Sequence, residues 1–197
     1  MCLQRTLVAF ALAAVFSGAF ASTSLAHEAV GVAGGLVSGF MHPILGMDHV
    51  VAMVAVGLWG AFLGMPALWI LPIVFPMVMA LGGALGLVGF PLPYIETGIA
   101  ASAVVLGLMV ALEARPPTFI AAIIVGAFAI FHGYAHGAEL PHAADAMAFS
   151  IGFVVSTGLM HLAGIAIGLL VKWRSGLLFV RGSGAAIAAV GVYFLVS

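Results

Sequence analysis

The sequence predicts an all-α, polytopic helical membrane protein with about six transmembrane helices after a cleavable signal peptide, its first segment broken at His42-Pro43. Three observations lead there. The 197 residues are 65% hydrophobic and only 6% charged, where a soluble domain carries about 25% charged residues. Mean hydropathy is +1.34. The apolar runs are long and show no strand alternation, so helices rather than a barrel satisfy the backbone inside the bilayer. The net charge of −1 offers nothing to nucleic acid. Membrane lipid is the expected surrounding partner.

Residues 1–26 read as a secretory signal, leaving 27–197 as one helical transmembrane transport domain. Arg5 is the positive n-region and Leu7 to Phe16 the apolar h-region. Small residues follow, with cleavage expected after Ala21 or after Ala26. The rival reading is an uncleaved first helix. Cleavage after Ala26 makes His27 a new amino terminus, where a free amine beside an imidazole can capture metal. A polar terminus without that role is the plainer alternative. The single cysteine, Cys2, lies in the segment expected to be removed. A metal on the mature chain is then held by nitrogen and oxygen.

Beyond the signal the apolar runs cover 29–63, 66–90, 95–112, 117–137, 144–171 and 176–196. A span needs about 20 residues, so six spans are expected. The first run is too long for one straight helix. Pro43 disfavours helix at His42, so 29–41 is expected as a short re-entrant or interfacial helix and a new helix from near Pro43–Gly46 to Leu63. Pro72 and Pro76 are expected to kink the second span. Trp59, Trp69 and Trp173 fall near span ends, as interfacial anchors do.

Arg115 lies between spans three and four, and Lys172, Arg174 and Arg181 surround the junction of spans five and six. The other two junctions, around 89–95 and 138–145, carry no Lys or Arg. The positive-inside rule therefore puts the basic junctions in the cytoplasm and both termini of the mature chain outside, in a multi-pass protein of the bacterial inner (cytoplasmic) membrane. Small-xxx-small spacings at Gly31/Gly35/Gly39, Gly82/Gly86, Gly164/Gly168 and Gly182/Ala186 allow close helix packing. They also allow a homo-oligomer. No inverted repeat is expected, because the two polar motifs fall at the same membrane face.

Those motifs carry the chemistry. The first is His42-Pro43-Ile44-Leu45-Gly46-Met47-Asp48-His49 and the second Phe131-His132-Gly133-Tyr134-Ala135-His136-Gly137-Ala138-Glu139. Ionisable groups in hydrocarbon cost roughly 2.5–3.5 kcal/mol each on insertion scales, so they are rare and usually functional. His132, His136 and Glu139 share one helix face near the outer end of span four. Asp48 and His49 open a helix that starts at the same face, and His42 lies just before it. Imidazole with carboxylate suits borderline divalent ions such as Ni²⁺, Co²⁺ and Zn²⁺. The expected metal residues are His42, Asp48, His49, His132, His136 and Glu139, with a divalent metal ion as transported partner and no permanently bound cofactor.

Other readings stand beside this one: a structural polar cluster holding helices together, a haem site, or an intramembrane metal-dependent hydrolase. No H-E-x-x-H is present and no Ser or Lys is placed as a nucleophile, so no catalytic residue is expected. Exit or accessory candidates are His161, Glu96 and His27, of which His161 is deepest, with Ser156 and Thr157 one turn earlier. Glu96 could equally cap its helix. Glu113 beside Arg115 reads as a solvated pair, and His142 and Asp145 as residues of an ordinary polar outer loop, with weak metal gathering as the alternative.

At these residues the sequence resembles the HupE/UreJ family of membrane proteins, associated with hydrogenase and urease maturation and regarded as nickel permeases. The family motif H-x5-D-H is matched by His42, Asp48 and His49. The motif F-H-G-x-[AV]-H-G-x-E is matched throughout Phe131 to Glu139. Length, signal and hydropathy match as well, so the resemblance covers essentially the whole chain. It implies a permease that carries Ni²⁺, or Co²⁺ as some members are thought to, into the cytoplasm for metalloenzyme assembly. No nucleotide-binding motif is present, so an ATP-driven pump is not expected.

Overall fold

The computed structural model describes residues 32–139 and 145–197. The expected signal segment, His27 and His142 lie outside them. The described chain forms seven α-helices: α1 Val32–Leu45, α2 Met47–Leu63, α3 Ala67–Leu87, α4 Ile95–Ala111, α5 Thr118–Glu139, α6 Ala146–Gly168 and α7 Arg174–Val196, with a 3-10 turn Leu169–Lys172 before the last. Among the described residues, α3, α5, α6 and α7 are each long and apolar enough to cross a membrane, α1 and α2 form a bent pair, and α4 is apolar but shorter at 17 residues. This is a multi-pass helical protein.

Helix α2 is the centre of the bundle. From Ala52 to Phe62 every residue except Val54 is buried. A helix apolar all round belongs in such a place. Around it stand α3, α4 and α6. The most extensive helix pairings are α3 with α5, α4 with α7, and α6 with both α1 and α2.

Glycines set these distances. On α3, Gly82 and Gly86 lie against the carbonyls of Ile130 and Tyr134, and on α5 Gly133 and Gly137 lie against those of Met79 and Gly83. A methyl group at any of the four would overlap the facing backbone, so the two helices touch main chain to main chain. Gly39 and Gly152 do the same between α1 and α6, as do Gly57 and Gly164 between α2 and α6. On α7 the packing pair is not Gly182/Ala186. Those residues are exposed, and Gly184 faces Gly107 of α4 instead.

The break in the first segment falls at Gly46 rather than at His42-Pro43. Pro43 is accommodated inside the last turn of α1, where it removes one backbone hydrogen bond. The chain then leaves the helix at Gly46 (φ −92°, ψ 105°) and bends by 83° into α2. Pro72 and Pro76 both lie within the single helix α3.

Three further expectations change. Trp59 is not an interfacial anchor: it is fully buried and donates from Nε1 to the Ala114 carbonyl at 3.1 Å, whereas Trp69 and Trp173 are exposed. Glu113 pairs not with Arg115 but with Arg181, Nη1 to Oε1 at 2.8 Å, while the Arg115 guanidinium lies over the Phe62 ring at 4.5 Å. Asp145 caps α6, accepting from the Ala148 backbone N–H at 2.9 Å. The Glu113–Arg181 pair brings the two basic junctions to one end of the bundle.

Candidate metal site

The elbow between α1 and α2 delivers the first motif to one point. His42 is in the last turn of α1 and Asp48 and His49 in the first turn of α2. Asp48 Oδ1 accepts from the His49 backbone N–H at 2.9 Å and from His49 Nδ1 at 2.9 Å. This pair folds back over Gly46, where a Cβ would stand 3.0 Å from Asp48 Oδ1 and 3.1 Å from His49 Nδ1. Gly46 is thus suited to its place by absence of a side chain.

Helix α5 brings the second motif. Its glycines and histidines are sequence neighbours, so Gly133 and Gly137 press the backbone onto α3 while His132 and His136, one residue earlier, turn toward α2. Both histidines are buried. The His49 ring lies 4.9 Å from that of His132 and 4.6 Å from that of His136, and the His42 ring is 4.9 Å from His136. Four imidazoles from three helices thus form one cluster. Phe149 and Phe153 of α6 wall it on one side, at 5.5 Å from His42 and 4.3 Å from His136 respectively. Phe75 of α3 closes the inner side, 5.5 Å from His132. A mostly apolar cavity of about 240 Å³ between α3, α5 and α6 reaches His136.

Hydrogen bonds assign the ring nitrogens. Ser102 of α4 is fully buried and donates its only hydroxyl proton to the Ile99 carbonyl. Its oxygen therefore accepts from His132 Nε2, 2.9 Å away. The proton of His132 is on Nε2, and the lone pair on Nδ1. By the same logic the carboxylate of Asp48 holds the proton of His49 on Nδ1 and leaves the lone pair on Nε2. The partner of one ring nitrogen sets the role of the other. His132 Nδ1, His49 Nε2 and both nitrogens of His136 are buried with no hydrogen-bond partner.

Buried polar atoms are nearly always paired, and leaving one unpaired costs about 1–3 kcal/mol. Four such atoms in one cluster, two of them lone pairs by the assignment above, are suited to a cation that accepts nitrogen donors. As the side chains stand, no group of three or more His, Cys, Asp or Glu among the described residues has a metal-holding geometry, since the rings meet edge to face or tilted. Shared coordination requires rings to turn; that of His136 makes no hydrogen bond that resists it, while those of His49 and His132 are held by Asp48 and Ser102.

The expected residues divide as follows. His42, Asp48, His49, His132 and His136 come together. Glu139 is the last residue of α5; only its backbone is described. Glu96 stands exposed on the first turn of α4. His161 makes no ring contact with the cluster histidines and packs instead against Phe75, with ring centroids 5.3 Å apart. Sequence reading missed Ser102, Phe75, Phe149 and Phe153. Ser102 had a signal, as a hydroxyl inside an otherwise apolar span. The phenylalanines had none, being ordinary in such a sequence.

A family model described as HupE / UreJ protein matches residues 12–194. The chain is 45% identical over 179 residues to a curated relative, Protein HupE of Rhizobium leguminosarum bv. viciae, covering 90% of this chain and 94% of that one. No solved structure matches the chain.

Proposed function

The chain belongs to the HupE/UreJ family, and from that premise we propose that it is a permease admitting Ni²⁺, or Co²⁺, across the bacterial inner membrane into the cytoplasm for hydrogenase or urease maturation. The cation is cargo, captured by His42, Asp48, His49, His132, His136 and Glu139. One observation carries the reading: the four partnerless imidazole nitrogens in a buried cluster. A cluster that only glued helices together would spend those nitrogens on hydrogen bonds. Nitrogen donors beside a carboxylate, without thiolate, favour Ni²⁺ and Co²⁺ over softer ions.

The direction rests on charge. Thirteen residues separate His49 from Phe62, the residue under Arg115, or about 20 Å along α2. The imidazoles and the basic junctions therefore lie at opposite ends of the bundle. With the basic end cytoplasmic, the imidazoles face the periplasm as a capture site.

The test is Ni²⁺ flux into proteoliposomes for His132→Ala, His49→Ala and Asp48→Asn, each with a melting curve. Uptake should collapse in variants that still fold. Normal uptake in folded His132→Ala and Asp48→Asn proteins would refute the capture site.

A further inference from the structure

Next to the Phe75 ring is a second group of buried, partnerless polar atoms that the capture site does not use. His161 is 2% exposed and Thr157 0%, and His161 Nε2 and Thr157 Oγ1 both lack a hydrogen-bond partner. The two residues are one turn apart on α6, at the i, i+4 spacing that shares a face. Their depth can be read from α2. The His161 carbonyl lies against Gly57, eight residues past His49, or about 12 Å further along the helix axis.

The His161 ring is tied to a neighbouring helix. It hydrogen-bonds the backbone of Pro72. Proline has no N–H, so the ring donates to the Pro72 carbonyl. That carbonyl is free because the residue four positions on is Pro76, which has no N–H to give it. Since Nε2 is the partnerless atom, Nδ1 makes this bond, and the lone pair is left on Nε2. The paired prolines of α3 thus orient an imidazole on α6, as Asp48 and Ser102 orient the outer ones. Phe75, between the two prolines, is fully buried and contacts both His132 at 5.5 Å and His161 at 5.3 Å.

We propose that His161 Nε2 and Thr157 Oγ1 form a second, inner station for the divalent cation, further along α2 than the outer imidazoles and joined to them by contact with the one Phe75 ring. The proposal rests on the permease reading above. A neutral imidazole and a hydroxyl hold a divalent ion more weakly than a site that also has carboxylate, which suits a station the ion must leave.

The test uses the full chain with Ni²⁺ as probe. Thr157→Val keeps the side-chain shape, and His161→Gln keeps a donor for the Pro72 carbonyl; melting curves check that both fold. In proteoliposomes each should lower the maximal Ni²⁺ flux at least about tenfold while half-saturation stays within about twofold, the pattern of a step after capture. In detergent, equilibrium binding of Ni²⁺ to a variant stripped of the outer imidazoles with orphan nitrogens (His49→Ala, His132→Ala and His136→Ala together) should leave a weak residual site that disappears when His161→Gln is added. Wild-type maximal flux in folded His161→Gln and Thr157→Val overturns the inner station, as does residual binding indifferent to His161→Gln. If His49→Ala itself transports normally, the failure lies with the capture site and takes the inner station with it.

Discussion

Ser102→Ala should impair cation capture although Ser102 belongs to neither motif. The hydroxyl is fully buried, donates to the Ile99 carbonyl and accepts from His132 Nε2 at 2.9 Å. Alanine removes the acceptor. The Nε2–H of His132 then has no partner, at a cost of about 1–3 kcal/mol, and the ring is free to move its proton to Nδ1. In that tautomer the lone pair points at the alanine methyl. Loss of such an orienting partner typically weakens metal binding about 10–100-fold, which is about 1.4–2.7 kcal/mol at 1.36 kcal/mol per tenfold. The Ile99 carbonyl is still available to its own helix, so the fold should survive with a modestly lower Tm. The assay is initial Ni²⁺ uptake against concentration in proteoliposomes, with a melting curve on the same protein. Half-saturation should rise by one to two orders of magnitude. A folded Ser102→Ala protein with wild-type half-saturation would refute the tautomer argument.

Three other outcomes are expected. Gly133→Ala should be strongly destabilising, because the new methyl overlaps the Met79 carbonyl and α5 must move off α3; overpacking of this kind costs about 1–3 kcal/mol or more, and a melting temperature equal to wild type would contradict the backbone contact. Glu113→Gln should change stability by no more than about 1 kcal/mol, since the pair with Arg181 is well exposed and such pairs contribute little; a large drop in Tm would mean the junction is far less solvated than it stands here. Reporter tags should place the 113–117 junction in the cytoplasm and the carboxyl terminus in the periplasm; a cytoplasmic carboxyl terminus would undo the placement of the imidazoles at the outer face.

The sequence by itself determined the class and marked most of the residues that come together. Sixty-five per cent hydrophobic residues with 6% charged leave only membrane helices, because an unpaired backbone is too costly in hydrocarbon. His42, Asp48, His49, His132 and His136 stood out because ionisable groups are expensive there, and their meeting at one end of the bundle followed from the order of the helices. Tertiary structure decided what depends on contacts between distant residues. Whether Pro43 or Gly46 ends α1 turns on the room that the Asp48–His49 pair takes over Gly46. Trp59 looked like an anchor because hydropathy cannot tell a span's lipid face from its core face, and α2 proved buried all round. Which of Gly182 and Gly184 faces a neighbour was likewise a matter of rotation about α7. The proton positions on His132 and His49 come from Ser102 and Asp48, and Ser102 lies thirty residues from the ring it orients. Hydrophobic pattern records how much a segment avoids water; it carries no record of which partner a buried polar atom meets.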